Sequence, residues 1–231
     1  TTAQMADFAQ VMRRLWHGEV IVNHDGPIGK YPILALDTDF DEDIRLALVA
    51  FGPNTLRLGG RLFDDVILHT YFTPETLARC VRTVKAAAEE SGRDPDRVRV
   101  WSCLATVGDH LPEELRLKKT VARLATYLQG YGDLMVSTND WDPAVLQRFR
   151  ADPVVQSIGG GIDHKATAAQ IAHIATLITE TWLQPAATGS PGQCVERIRR
   201  ELDYGADAVI MHGATPDELE PVVSAYREMV P

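Results

Sequence analysis

Cysteine is scarce in this chain of 231 residues: Cys80, Cys103 and Cys194 are all there is, and no two stand at CxxC spacing. An odd count read without a signal peptide points to a reducing, cytoplasmic setting. Cys103 lies in the apolar pattern VRVWSCLATV and reads as core. Long apolar runs are also missing. None approaches the ~20 residues of a membrane helix, so no membrane partner is expected. Positive charge never gathers into a stripe, and a net charge of −9 argues against nucleic acid. The densest basic run, Arg116 to Lys119, reads as a solvated helix face. No GxGxxG follows a strand pattern, which speaks against a dinucleotide-binding Rossmann domain, and there is no GxSxG elbow. The histidines never pair at HxH or HxxxH spacing with an acid in place, so no metal site is expected.

What is present is ordinary globular composition, 45% hydrophobic and 24% charged, read as one domain over residues 1–231. An amphipathic helix over Ala3–Trp16 opens the chain with Phe8, Val11, Met12 and Leu15, and no strand pattern precedes it. A Gly/Pro/Asp-rich stretch, His24–Pro27 and Asp37–Asp43, flanks a short apolar run, Pro32–Leu36, and the acids at Asp39–Asp43 suggest a surface loop or a helix start. A βα rhythm follows: strand Arg45–Phe51, helix Asn54–Arg61, strand Asp65–His69, a helix from Thr73 to about Ser91, and strand Val98–Val107. Thr73-Pro74-Glu75 supplies an N-cap, a proline at the first helical position and an acid in the first turn. Residues 113–180 break the rhythm with helical patterns over Glu113–Gln129, Pro143–Phe149 and Ala166–Ile178. The rhythm resumes with a capping box at Ser190–Gln193, a helix to Tyr204, strand Ala208–His212 and a last helix to about Met229.

Short apolar strands alternating with helices imply a parallel sheet, and a (β/α)8 TIM barrel with a helical insertion before the last strand fits best. Ligands of such a barrel bind at strand C-termini, which here carry Phe51, His69, Thr106 and His212. Gly52-Pro53-Asn54-Thr55 is a small-residue turn opening directly into a helix, where free amides and a partial positive charge can hold a phosphate; Ala50 and Phe51 line the same edge. An ordinary βα turn is the competing reading. His69 is the candidate proton donor or substrate contact, against a rim histidine bonded to a neighbouring loop. Thr106 and His212 are candidate substrate contacts. Tyr71 and Trp182 could close a cavity, with packing the plainer role for both.

FGPNTLRLGGRLFDDVILHTYFTPE, SGRDPDRVRVWSCLATVGD and GSPGQCVERIRRELDYGADAVIMHGATPDELEPVV, together with the opening FAQVMRRLWHGEV and HDGP, resemble the luciferase-like monooxygenase superfamily. Within it the similarity is to actinobacterial members that use the deazaflavin coenzyme F-420. The resemblance implies cofactor phosphate binding at the turn from Ala50 to Thr55, a cytoplasmic homodimer and a small-molecule substrate. It also implies that four further strands precede the helix at Phe8, so this chain is expected to be the C-terminal two-thirds of a longer protein. A part-barrel has unpaired strand edges and should not fold alone.

The leading expectation is therefore an oxidoreductase that transfers hydride to or from a small organic substrate with coenzyme F-420. An FMN-dependent monooxygenase of the same fold is the alternative, since FMN presents the same phosphate. A non-catalytic homologue acting as a binding module is a third.

Overall fold

A computed structural model describes residues 1–229. These fall into two compact units, one of Thr1–Leu68 with Cys80–Trp101, the other of His69–Arg79 with the residues from Ser102 onward.

The first unit opens with α1 (Thr2–Trp16), whose capping box joins Thr1 and Gln4. Then comes a two-stranded antiparallel hairpin, β1 (Ile21–Gly26) and β2 (Gly29–Leu34), where the sequence shows a Gly/Pro/Asp-rich stretch and a short apolar run. The hairpin is fastened from outside: Asp7 Oδ2 on α1 accepts from the Ile28 amide at 3.0 Å and lies 3.0 Å from His24 Nε2. Ile21 packs with Val11 and Leu15, and that small cluster replaces the alternation a free-standing hairpin would show.

Next come β3 (Ala47–Ala50), α2 (Pro53–Leu62), β4 (Asp65–Leu68), α3 (Pro74–Glu90) and β5 (Arg99–Gly108). β3 and β4 pair in parallel, Ala50 opposite Leu68, and β4 pairs in parallel with the start of β5. β3 buries Leu48 and Ala50 on one face and leaves Val49 66% exposed on the other, where parallel strands are usually covered on both. Gly60 lets α2 and α3 touch, since a Cβ there would stand 2.2 Å from the Val84 carbonyl oxygen. Asp65 anchors this unit's polar end. It accepts from Arg45 Nε and Arg99 Nε, each at 2.8 Å, and from Trp101 Nε1 at 2.7 Å. Trp101 is thus a hydrogen-bond donor to a buried carboxylate. Burial would raise the Asp65 pKa, but these three partners outweigh it and hold the carboxyl down to about 2.

The second unit contains the helical insertion: α4 (Glu113–Leu117), a π-helical turn (Lys118–Ala122), α5 (Arg123–Asn139), α6 (Pro143–Ala151), α7 (Pro153–Ser157), α8 (Ile162–Lys165), α9 (Ala168–Ala175) and α10 (Glu180–Leu183). α5 runs ten residues past the expected end at Gln129, through two glycines. Gly132 is packed there, since a Cβ would meet Leu146 Cδ1 at 2.7 Å. Trp182 is buried and stacks on Trp141, ring centroids 4.6 Å apart, so it is an internal anchor of the insertion.

The unit ends with β6 (Ala187–Gly189), α11 (Pro191–Asp203), β7 (Ala208–His212) and α12 (Pro216–Met229). β6 pairs in parallel with the end of β5, Thr106 opposite Ala187, and was not visible in the sequence because it is three residues long. β7 also pairs with β5. Leu104, Ala187, Cys194, Val195, Ile198 and Val222 form the core between these strands and the two helices. Among the described residues no helix is long and apolar enough to cross a membrane; Cys80 and Cys194 are buried and Cys103 is half-buried.

Candidate functional site

In the first unit the turn after β3 has the predicted form. Gly52 is the N-cap of α2, with extended backbone (φ −92°, ψ 165°), and Pro53 takes the first helical position. No side chain caps the helix. The Thr55 hydroxyl is donated to the Gly52 carbonyl at 3.2 Å, and Asn54 Oδ1 accepts from Arg57 at 3.4 Å. Those side chains turn back on the turn itself, so none fills the helix mouth. Pro53 and Asn54 are exposed, Ala50 is buried, and Phe51 and Gly52 are half-buried. A Cβ added at Gly52 would meet nothing within 4 Å. An uncapped amide mouth with open space beside it fits a phosphate group of the kind FMN and coenzyme F-420 carry.

In the second unit, two of the expected residues belong to one cluster. His69 begins the segment after β4, and His212 ends β7. His69 Nδ1 lies 3.0 Å from the Thr70 carbonyl oxygen, and its Nε2 lies 2.7 Å from the Tyr131 hydroxyl. A carbonyl can only accept, so Nδ1 carries the proton and Nε2 of the neutral ring accepts from Tyr131. His212 Nε2 is 3.0 Å from the Tyr127 hydroxyl. The Tyr127 and Tyr131 rings, one helical turn apart on α5, stack at 5.7 Å, and His69 meets both edge-on, at 4.8 and 5.2 Å. Two imidazole–phenol pairs thus share one aromatic cluster.

The electrostatics keep the cluster neutral. Burial pushes the His69 pKa down; its bond to the Thr70 carbonyl opposes this, and nearby His212 adds to the lowering. Burial and the Arg123 cation lower His212. Burial raises the Tyr127 and Tyr131 phenols. Arg123 is held by Asp163, Nη1 to Oδ2 at 2.8 Å.

The backbone around the cluster is irregular. Tyr71 is fully buried at φ +61°, a left-handed conformation that costs a bulky residue on the order of 1–3 kcal/mol. It is held by its hydroxyl, donated to the Thr120 carbonyl at 3.0 Å in the π-helical turn. Asn139 fixes the same segment from both sides, donating to the Tyr71 carbonyl at 3.0 Å and accepting from the Thr73 amide at 3.1 Å. Tyr131 itself sits at a kink inside α5 (φ −150°, ψ 38°). π-helical turns are rare and frequent at functional sites.

Thr106 does not join this cluster by hydrogen bonding. It is fully buried and donates its hydroxyl to Leu104 of its own strand at 3.1 Å. Tyr127 and Tyr131 were missed in the sequence; the one signal was two tyrosines at i, i+4 in ATYLQGYG. Cys103, its thiol pushed up to about 11 by burial, is no nucleophile at neutral pH. No group of metal-ligating side chains occurs among the described residues.

Known proteins share this fold. The chain superposes on a coenzyme F-420-dependent tetrahydromethanopterin reductase from Methanopyrus kandleri with a TM-score of 0.71 at 18% identity, covering 96% of this chain and 60% of that one. A coenzyme F-420-dependent secondary alcohol dehydrogenase, solved with an F-420–acetone adduct, matches with a TM-score of 0.61 at 17% identity, covering 96% and 61%. The oxygenating component of 3,6-diketocamphane monooxygenase from the CAM plasmid of Pseudomonas putida, solved with FMN, matches at 0.52 and 18%, covering 95% and 59%. The chain thus spans about three-fifths of the first two structures. No curated protein matches it by sequence. Its α/β fold of parallel strands and helices is that of these barrel enzymes, and the family model for luciferase-like monooxygenases matches residues 1–208. The chain belongs to the luciferase-like monooxygenase family.

Proposed function

We propose that the chain is the C-terminal part of an oxidoreductase that uses coenzyme F-420 to move hydride to or from a small organic substrate. The observation that carries the cofactor class is the uncapped helix mouth at Gly52–Thr55, open where a Cβ would stand. Two structural neighbours named for coenzyme F-420 support the deazaflavin over a flavin. Bound, the cofactor supplies the hydride chemistry. In the first unit, the Asn54 and Thr55 amides hold its phosphate. Within the second unit, His69 and His212 are neutral imidazoles, the kind of group that can accept a proton.

A second reading, an FMN-dependent monooxygenase, is favoured by the FMN-bound neighbour and by the shared phosphate. Titration of the full-length protein with oxidised coenzyme F-420 and with FMN, followed by absorbance, decides. Deazaflavin absorbs at the violet edge and FMN in the blue. Saturable, tighter binding of coenzyme F-420 is expected. Preference for FMN would replace the first reading with the second, and binding of neither would leave a non-catalytic homologue.

A further inference from the structure

We propose that Tyr131 and His69 form a proton relay in which the tyrosine, not the histidine, faces the substrate. The inference rests on the hydride-transfer reading above and assigns its proton. Both His69 ring nitrogens are engaged, Nδ1 at 3.0 Å from the Thr70 carbonyl and Nε2 at 2.7 Å from the Tyr131 hydroxyl. A histidine so placed has no nitrogen left to present to a ligand. The Tyr131 oxygen, donating its one hydrogen to Nε2, keeps lone pairs that can accept. Tyr131 is half-buried rather than sealed, so a ligand can reach it.

The step balances as follows. The C–H bond on the reacting carbon breaks, and its electron pair leaves as hydride to the oxidised deazaflavin-class acceptor. The hydroxyl or amine on that carbon gives its proton to Tyr131 Oη, and the electrons of that O–H or N–H bond become the new C=O or C=N bond. Tyr131 passes its own proton to His69 Nε2, leaving a tyrosine as before and an imidazolium whose Nδ1–H still donates to Thr70. The reverse sequence protonates a carbonyl or imine as hydride arrives.

The surroundings suit a relay that begins neutral. The titratable groups against His69 are Tyr127 and Tyr131 on α5 and His212 on β7, and the Arg123 cation acts on Tyr127 and His212. The Thr70 carbonyl fixes the tautomer. The clamp of Asn139 on Tyr71 and Thr73 fixes the segment that carries it, and the Tyr131 kink lies where the relay's hydroxyl must be aimed.

The test is nitrogen NMR of the full-length protein with labelled histidine, wild type and Tyr131→Phe. The relay requires His69 to be neutral at pH 7 with the proton on Nδ1 and a hydrogen-bonded Nε2, and requires Tyr131→Phe to move the Nε2 signal toward that of a free acceptor with the tautomer kept. In the cofactor-loaded protein, Tyr131→Phe is expected to slow hydride transfer about 100-fold or more, with cofactor affinity unchanged. A proton found on Nε2, an imidazolium at pH 7, or an unchanged Tyr131→Phe rate overturns the relay while cofactor binding leaves the hydride-transfer reading standing. Wild-type protein that binds neither coenzyme F-420 nor FMN overturns that reading, and the relay with it. The wild-type spectrum stands even where the variant fails to fold.

Discussion

Replacing Gly52 with glutamate tests the phosphate anchor against folding, because the structure separates the two effects. Gly52 has φ −92°, which any residue adopts, and a Cβ there meets nothing within 4 Å. A Cβ is therefore accommodated without strain, and an acid at the start of α2 stabilises the helix by about 0.3–1 kcal/mol. A bound phosphate within ~6 Å of the new carboxylate would be repelled by about 0.7 kcal/mol at a water-like dielectric and about 3 kcal/mol at an effective value near 20. Those limits correspond to about 3-fold and about 100-fold in affinity. The assay is cofactor titration of wild type, Gly52→Glu and the isosteric Gly52→Gln, at low and high salt, beside a thermal melt of each. Gly52→Glu should bind markedly more weakly than Gly52→Gln, with the gap narrowing at high salt as charges are screened, and all three should melt within a few degrees. Equal losses for both variants would mean bulk, not charge. No loss for either would remove the anion from this helix mouth.

Other expectations concern stability. Asp65→Asn should cost on the order of 2 kcal/mol at pH 7, the value of a carboxyl held at about 2 against an ordinary value near 4. Because the folded pKa is depressed, that stability is present above pH ~4 and is lost as pH falls toward 2, so denaturant curves of mutant and wild type should converge across that window. Gly60→Ala forces a methyl to 2.2 Å from the Val84 carbonyl oxygen, so α2 and α3 must part; about 1–3 kcal/mol of destabilisation is expected, read as a drop in Tm of several degrees. Ser190→Ala removes the acceptor of the Gln193 amide from the α11 capping box and should cost about 1 kcal/mol in the same melt.

What was legible in the sequence is what local chemistry decides. β7 falls at Ala208–His212 as read, marked by its short apolar run, and the α11 box at Ser190 and Gln193 forms both its bonds, because a capping box depends on residues within a turn of one another. The turn at Gly52-Pro53 opened α2 for the same reason. The hairpin was illegible because its support is remote. Asp7 stands 17 and 21 positions from the groups it holds, and Val22 and Ile33 are both 62% exposed, so no alternating buried face was there to be read. β6 is held by its pairing to β5 and has too few residues to carry a period.

The Tyr–His cluster was half legible, and the half that was lost has a definite cause. His69 and His212 were found because the βα rhythm puts one just past the end of β4 and the other at the end of β7. Their partners lie 62 and 85 positions away on α5, behind the π-helical turn at Lys118–Ala122. A π turn adds a residue to the helical count and rotates everything after it by about 100° relative to the 3.6-residue pattern. A helix wheel carried forward from Glu113 therefore aims Tyr127 in the wrong direction, and the kink at Tyr131 shifts the next turn again. The same irregularities that bring two phenols onto two imidazoles also erase the periodic signal by which sequence reading could have found them.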